Sequence, residues 1–331
     1  MILNISGRTD IVAFYTPWLM NRFEAGEILV RNPFYPSQVS KILIENVDAI
    51  VFCTKNPLPI IKYLPSIHTP MIFQVTLTPY HKDIEPFVPD KSKIIEGIKE
   101  ISKLLGQEKV YVRYDPILLN EKYTVEYHIR AFERMCSLLK GYVNHIIVSF
   151  IDDYKNVRNH YDELKLKNPT HEDLKKIGIH FFDITNKNNM TVQTCYEKED
   201  LSQFGFIKDV CVSRKLAFEL TQKHYKLWSA RDCGCIEMVD IGVYNTCHHY
   251  CKYCYANYDE KKIHENIMDH DEHSPFLIGH AKSDDIVNAL TGQSSNLFAE
   301  QKERGVDLVM SRMTMILSIA FFVIAILLRM N

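Results

Sequence analysis

Residues 240–257 read DIGVYNTCHHYCKYCYAN and place three cysteines within eight positions, Cys247, Cys251 and Cys254. Three thiols cannot pair off as disulfides without leaving one over, but three thiolates can converge on one metal centre. Such a centre keeps one coordination position open, which a catalytic centre needs and a closed structural one does not. The stretch therefore predicts a metal-binding loop, and the mostly apolar run 238–244 predicts a strand that leads into it.

The rest of the chain alternates strand and helix signals, which predicts an α/β fold. Apolar runs predict strands at 1–5, 48–53, 71–78, 109–114, 145–150 and 189–195. Helical spacing of apolar residues predicts helices at 91–105 and 124–139, and an N-cap at Ser37 predicts another at 37–45. Repeated strand–helix units in a chain of 331 residues favour a parallel β/α barrel, complete or partial and TIM-like.

We expect the barrel to occupy residues 1–280, with a cysteine-rich segment at 195–254, and residues 281–312 to form a linker or helix. The uncharged run 313–328 (MTMILSIAFFVIAILL) predicts a C-terminal apolar helix. About 20 apolar residues span a bilayer and about 10–14 usually form a buried helix, so this run is either a tail anchor or a helix packed on protein. Since the N-terminus lacks a secretory pattern, we expect a cytoplasmic protein, with membrane anchoring by the tail as the open alternative.

Composition limits the classes of function. A formal net charge of −2 gives no reason to expect an extended basic surface that binds nucleic acid. Nine cysteines are an odd number in a chain without a secretory signal, which favours metal ligands or free thiols over a disulfide framework. Seven of the nine follow residue 190, so we expect metal chemistry in the C-terminal half.

Polar residues cluster at the ends of the predicted strands. In a parallel β/α barrel the carboxyl ends of the strands form the edge at which ligands bind. Loops after strands are often polar, but Arg113 lies inside the run VYVRYD, where side chains alternate in direction. The candidate ligand-binding residues at these positions are Ser6, Gly7, Arg8, Thr9, Asp10, Thr54, Lys55, Thr76, Arg113, Asp115 and Ser149. Tyr253, in the cysteine stretch, is a further candidate for binding a cofactor.

Two kinds of metal centre fit the three cysteines of the loop. A zinc knuckle needs a fourth ligand, for which the candidates are His248, His249 and Cys235. A 4Fe-4S cluster with three protein ligands leaves one iron open to a small-molecule chelate. The Cys-x3-Cys-x2-Cys spacing, the aromatic residue Tyr253 and the position just after a strand favour the cluster.

The motif Cys247-x3-Cys251-x2-Cys254, with Tyr253 inside it, resembles the defining motif of the radical S-adenosylmethionine (SAM) enzymes. The resemblance implies a TIM-like barrel, a 4Fe-4S cluster on the three cysteines and SAM on the open iron. It also implies cleavage of SAM to a 5′-deoxyadenosyl radical, which abstracts a hydrogen atom from the substrate. In most of that superfamily the motif follows the first strand. Here it follows the last predicted strand, which indicates a circularly permuted barrel.

The resemblance extends to the strand ends. Residues 6–10 match the loop that contacts the SAM amino group in that superfamily. Thr54-Lys55 and the run 113–116 resemble strand-end motifs of the spore photoproduct lyase-like branch, where such residues contact SAM. The pattern of CGC followed by DIGVYNTC and YCYA also resembles an uncharacterised domain-of-unknown-function family over residues 1–280.

The predicted function is therefore a radical SAM enzyme with an unknown substrate and a reducing electron donor as partner. Nucleic acid is one candidate substrate, because a few basic residues lie near the cysteine motif in the sequence: Lys252, Lys261, Lys262 and Arg231. A second iron–sulfur or zinc centre is predicted, against the alternative of buried free thiols, from Cys195, Cys211, Cys233 and Cys235. The competing function is a zinc- or iron–sulfur-binding protein without catalysis, tethered to a membrane through its tail.

Overall fold

The computed structural model describes residues 1–195, 197, 200–228, 233–282 and 285. The strands found in these residues are β1 (Ile2–Ile5), β2 (Glu27–Arg31), β3 (Val39–Leu43), β4 (Ala49–Thr54), β5 (Met71–Thr76), β6 (Val110–Ile117), β7 (His145–Phe150), β8 (Thr191–Cys195), β9 (Ile207–Asp209) and β10 (Val239–Asp240). The α-helices are α1 (Ile11–Phe14), α2 (Thr16–Ala25), α3 (Lys91–Leu105), α4 (Val125–Leu139), α5 (Lys155–Asn159), α6 (Tyr161–Leu164), α7 (His171–Lys187), α8 (Arg214–Thr221) and α9 (Glu260–Met268). Short 3-10 helices cover Ile44–Asn46, Leu58–Ser66, Gln107–Lys109 and Ser202–Phe204.

Eight of the described strands form one sheet, in the order β10-β1-β4-β5-β6-β7-β8-β9. Every neighbouring pair in it is parallel, so the carboxyl ends of all eight strands lie along one edge, the carboxyl edge. The predicted parallel α/β fold is confirmed. Complete closure is not, because β9 and β10 end the sheet without pairing with each other in the described residues.

The strand before the cysteine loop is a neighbour of the first strand of the chain. β10 pairs with β1 through Leu3↔Val239 and Asn4↔Asp240. The loops that follow these two strands therefore lie side by side at the carboxyl edge. The strand predicted at 238–244 is shorter than expected, because the Gly242 amide turns back to the Asp240 carboxylate at 2.7 Å and leaves the ladder.

The helix predicted at 37–45 is wrong, because this segment contains β3. β3 pairs antiparallel with β2 in a separate two-stranded sheet, with Arg31 opposite Val39 and Glu27 opposite Leu43. Val39 and Ile42 are buried there. The hydrogen bonds and burial that β3 gains by pairing with β2 outweigh the local preference for a helix that Ser37 signals.

The predicted helices at 91–105 and 124–139 are confirmed as α3 and α4. Their apolar stripes are buried, including Ile94 and Ile98 of α3 and Phe132 of α4. Each such side chain contributes about 1.5–3 kcal/mol when fully buried. Thr124 caps α4 by accepting a hydrogen bond from the Tyr127 amide at 3.2 Å. These helices cover the sheet and leave its carboxyl edge to the loops.

By its internal contacts the chain divides into two units, Met1–Ser295 and Asn296–Asn331. No helix in the described ranges has the length and apolar character needed to cross a membrane. The apolar helix predicted at 313–328, and with it the tail anchor, lies outside the described residues, as does nearly all of the predicted segment 281–312.

Candidate functional site

The three predicted metal ligands lie on one loop between β10 and α9. Cys247 and Cys251 are buried, Cys254 is half-buried, and all three are free thiols. The side chain of Asn257 closes the loop: its Oδ1 accepts from the Cys247 amide at 3.3 Å and its Nδ2 donates to the Cys247 carbonyl. These two bonds join the ends of the cysteine segment and so fix where its thiols leave the backbone.

Backbone amides donate to two of the three sulfurs. The His249 amide bonds the Cys247 thiol, and the amides of Ala256 and Asn257 bond the Cys254 thiol. Burial raises the pKa of both thiols, which disfavours a thiolate in the absence of a further positive charge. N–H···S bonds favour the thiolate, which is the form that binds metal. The donor set therefore fits a cationic metal centre held by these sulfurs.

The geometry bears on the choice between zinc and an iron–sulfur cluster. In the part of the chain that the structure describes, no three His, Cys, Asp or Glu side chains are grouped so that they could hold a metal ion as they stand. Ligands of a 4Fe-4S cluster bind different irons, so they need not surround one point. Of the two proposed extra zinc ligands on the loop, the His248 ring stacks on Phe14 at 4.4 Å, and His249 bonds Asp10 through Nε2 at 3.0 Å, which leaves only its Nδ1 without a partner.

Asp10 joins three segments at the carboxyl edge. It caps α1, and its carboxylate accepts from the Thr54 hydroxyl at 2.7 Å and from the Lys55 amide at 2.7 Å. The same carboxylate accepts from His249 Nε2 on the cysteine loop at 3.0 Å. The structure thus brings together the predicted residues after β1 and after β4, and it ties both to the cysteine loop.

Asp240, at the end of β10, organises the loop after β1. Its carboxylate accepts from the Ser6 hydroxyl at 2.7 Å and the Gly7 amide at 2.9 Å, and its carbonyl accepts from the Arg8 guanidinium. A Cβ on Gly7 would lie 2.9 Å from that carboxylate, and one on Gly242 would lie 1.9 Å from the Ser6 hydroxyl. The side chains of Ser6 and Arg8 therefore hold the loop in place rather than standing free for a ligand.

Glu85 forms a buried charge network beside the cysteine loop. Its carboxylate accepts from Lys55 Nζ at 2.8 Å, from the Thr78 hydroxyl at 2.6 Å, and from Lys91 Nζ and the Tyr253 hydroxyl. Burial alone would raise the pKa of Glu85, but the two lysines outweigh it and lower this pKa to about 2. The network holds Tyr253 in the motif and keeps a lysine ammonium close to it.

Arg113, on β6, is the centre of a third network. Its Nη1 donates to Gln74 Oε1 at 3.0 Å and to Cys211 Sγ at 3.1 Å, and its Nε donates to Asp115 at 3.0 Å. The Ser149 hydroxyl donates to the same Asp115 carboxylate. The predicted residues of β6 and β7 thus meet one another and one of the four cysteines of the predicted second centre.

Besides Arg8 Nε, which forms an ion pair with Asp240 at 3.4 Å, two buried polar atoms near the loop lack a hydrogen-bond partner in the described structure, Thr9 Oγ1 and His249 Nδ1. Buried polar groups without partners are rare in native proteins, and a polar ligand is one way to satisfy them. Thr76 is half-buried and lies in register with Arg113. These groups mark where a ligand could gain hydrogen bonds at the carboxyl edge.

Sequence reasoning did not find three residues that the structure places at this site. Asp240 ends a strand, so the rule that selected the other strand-end residues could have selected it as well. Glu85 lies in the long connection after β5 and Lys91 begins α3, positions that carry no periodic or strand-end signal. Only their contacts with Lys55 and Tyr253 reveal them.

The basic character predicted around the loop is largely neutralised. Lys252 pairs with Glu163 at 2.5 Å, and Lys262 pairs with Glu265 at 3.3 Å. Arg231 lies outside the described residues. These pairings weaken the argument for nucleic acid as the substrate, since paired lysines offer less charge to phosphates.

Comparison with known proteins finds a family of unknown function and short matches to curated membrane proteins. The family described as "Domain of unknown function (DUF1848)" matches residues 2–256. A probable protein-export membrane protein SecG of Staphylococcus haemolyticus is 44% identical over 50 residues, covering 15% of this chain and 65% of that protein. Its counterpart from Bacillus subtilis is 40% identical over 50 residues, covering 15% of this chain and 66% of that protein. The chain thus spans about two thirds of the length of these curated relatives, and no solved structure matches it.

Proposed function

The chain belongs to the DUF1848 family, and we propose that it is a radical SAM enzyme that abstracts a hydrogen atom from a substrate still to be identified. One observation carries the proposal: Cys247, Cys251 and Cys254 share one loop at the carboxyl edge of a parallel sheet, with backbone amides directed at two of their sulfurs. That edge is where ligands bind in α/β folds of this kind.

The three thiolates would hold a 4Fe-4S cluster, with one iron left open for the amino and carboxylate groups of SAM. When bound, this cluster supplies the electron that cleaves SAM to methionine and a 5′-deoxyadenosyl radical. Tyr253, anchored on Glu85, keeps the loop in position, and Lys55 places a positive charge beside Cys251. Positive charge at this point favours the thiolate state that the cluster requires.

The position of β10 supports a permuted arrangement of the usual fold. β10 precedes the cysteine loop and pairs with β1, so the unit that comes first in most radical SAM enzymes would here come last in sequence and still neighbour the next strand in space. SAM would then lie over the loop after β1, where Thr9 Oγ1 and His249 Nδ1 have unused hydrogen-bonding capacity. Asp10 ties that loop to the cysteine loop.

The decisive experiment is an assay for 5′-deoxyadenosine. Full-length protein is purified without oxygen, reconstituted with iron and sulfide, reduced with dithionite and given SAM. We expect 5′-deoxyadenosine from the parent protein and none from the triple variant Cys247→Ala/Cys251→Ala/Cys254→Ala, while Cys136→Ala, a buried cysteine on α4, retains the activity. A parent protein that binds zinc tightly, takes up no iron and makes no product would instead establish the non-catalytic alternative.

A membrane contact by the tail is a second candidate role. Two observations favour it: residues 313–328 are apolar and uncharged, and the chain resembles curated membrane proteins over 50 residues. We propose that this run inserts into a bilayer, for which about 20 apolar residues make a full span. Deleting residues 313–331 should then move the protein from the membrane fraction to the supernatant. Full-length protein that sediments no differently from the deletion variant would refute the role.

A further inference from the structure

Four cysteines from three separate segments meet away from the 247–254 loop. Cys195 ends β8, Cys211 follows β9, and Cys233 and Cys235 lie in the connection that leads to β10. Side-chain hydrogen bonds join Cys211 to Cys195 and to Cys235, and another joins Cys235 to Cys233. All four are free thiols. The fold therefore assembles a continuous row of thiols from residues up to 40 positions apart, which chance burial of single cysteines does not explain.

The backbone around these thiols is built to hold them together. Gly234 has a φ of +75°, a left-handed conformation that glycine adopts readily and that turns the chain between its two neighbouring cysteines. The Ile236 amide donates to the Val212 carbonyl at 3.1 Å, which joins the segment of Cys235 to that of Cys211. Gln74 on β5 then anchors the Cys211 carbonyl through Nε2 at 2.7 Å.

Two hydrogen-bond donors, one of them a charged guanidinium on β6, contact the row of thiols. Arg113 Nη1 donates to Cys211 Sγ at 3.1 Å, and the Val212 amide donates to the Cys235 thiol. N–H···S bonds to ligand sulfurs are among the contacts by which proteins tune iron–sulfur clusters. One guanidinium cannot balance four thiolates, particularly since Arg113 also pairs with Asp115. All four sulfurs could therefore be thiolates together only with the added positive charge of a metal centre.

We propose that Cys195, Cys211, Cys233 and Cys235 hold a second iron–sulfur cluster. Four cysteines are the full ligand set of such a cluster, so this centre would be closed and would transfer electrons rather than bind substrate. A single zinc ion fits less well, because in the described residues no three of these side chains are grouped around one point. The four proposed ligands are separate from Cys247, Cys251 and Cys254, so the second cluster does not depend on the first.

Arg113 connects this row of thiols with the carboxyl edge. The path runs from Cys211 through the Arg113 guanidinium to Asp115 and on to Ser149. The Arg113 guanidinium would thus place a positive charge next to a ligand sulfur of the second cluster. Replacing Arg113 with Gln should lower the reduction potential of that cluster, because the reduced form is the more negative one and loses a neighbouring cation.

The test uses full-length protein that cannot load the first site. The variant Cys247→Ala/Cys251→Ala/Cys254→Ala is purified without oxygen, reconstituted, and analysed for iron, sulfide, zinc and free thiols, with electron paramagnetic resonance after reduction. We expect one iron–sulfur cluster per chain to remain. Adding Cys211→Ala should abolish it, and adding Cys233→Ala, a partly exposed cysteine at one end of the row, should do the same without loss of circular dichroism signal.

Three results would overturn the proposal: no iron in the triple variant, stoichiometric zinc in place of iron, or loss of free thiols that shows disulfides among the four cysteines. Each of these is separate from the fate of the proposed function. If the parent protein makes no 5′-deoxyadenosine but the triple variant keeps its cluster, the second centre stands and the SAM reaction fails. If the reverse is found, only the second centre fails.

Discussion

Replacing Glu85 with Gln tests the charge network that supports the cysteine loop. The side chain of Glu85 is 1% exposed, and it faces Lys55, 15% exposed, and Lys91, 30% exposed. Gln keeps the shape and one oxygen acceptor but leaves two ammonium groups without their shared counter-charge. Removing one partner of a buried ion pair costs about 3–5 kcal/mol, because the other charge stays desolvated. We expect the free energy of unfolding to fall by about that amount at pH 7.

The measurement is urea unfolding under nitrogen, followed by circular dichroism. A matched control is Asp153→Asn, whose exposed pair with Arg158 has side chains 76% and 58% exposed and should change stability by less than about 1 kcal/mol. Tyr253 also loses a charged acceptor, so Glu85→Gln should retain less iron after reconstitution. A Glu85→Gln protein as stable as Asp153→Asn would refute the reasoning, since the buried lysines would then not need the carboxylate.

The pH dependence of this effect follows from the lowered pKa. The pKa of Glu85 lies at about 2 in the folded protein and at the ordinary glutamate value of 4.5 when the chain is unfolded. The unfolded state therefore binds the proton first on acidification, and the stabilisation is complete above pH 4.5 and lost as the pH falls towards 2. The difference in stability between the parent and Glu85→Gln should accordingly narrow below pH 4.5. A difference that stays constant over this range would show that the carboxylate charge is not its source.

Three further substitutions probe the loop and the core. Gly242→Ala places a Cβ 1.9 Å from the Ser6 hydroxyl, so we expect a loss of about 1–3 kcal/mol and a lower iron content after reconstitution. Asn257→Ala leaves both backbone groups of Cys247 unpaired, which should cost about 1–3 kcal/mol and also reduce iron retention. His128 is buried, and burial lowers its pKa from 6.5 to about 4, so its neutral form is required in the fold. The free energy of unfolding should fall by up to about 3 kcal/mol as the pH drops from 6.5 to 4. In urea titrations at these pH values, His128→Gln should not show this loss.

Controls separate loop effects from general destabilisation. Gly26 has a φ of +76° and no atom within 4 Å of an added Cβ, so Gly26→Ala should lower stability without lowering iron content. If Gly26→Ala loses as much iron as Gly242→Ala, the loop argument for Gly242 is wrong. For His128, a parent protein whose stability is flat between pH 6.5 and 4 would contradict a buried neutral imidazole bonded to Tyr114 and the Leu118 carbonyl.

Structural features that depend only on residues close together in the sequence could be predicted. The apolar stripes of 91–105 and 124–139 became α3 and α4, and the alternation of strands with helices became a parallel sheet. The strand-end rule also placed Asp10, Thr54 and Lys55 at one edge, where they meet. The prediction of a helix at 37–45 was wrong because pairing with β2 decides the conformation of this segment. That pairing leaves no trace in the local sequence pattern.

The spacing of Cys247, Cys251 and Cys254 is a local property, so the sequence alone was enough to predict a metal-binding loop and its candidate chemistry. The surroundings of that loop are not local. Glu85 accepts from Tyr253 across 168 positions, and Asp240 accepts from Ser6 across 234. Only packing of the parallel strands brings such residues together, because a hydrogen bond depends on distance in space and leaves no periodic trace along the chain. For the same reason the four thiols of the second row were visible as a count in the sequence and as a continuous set of contacts only in the fold.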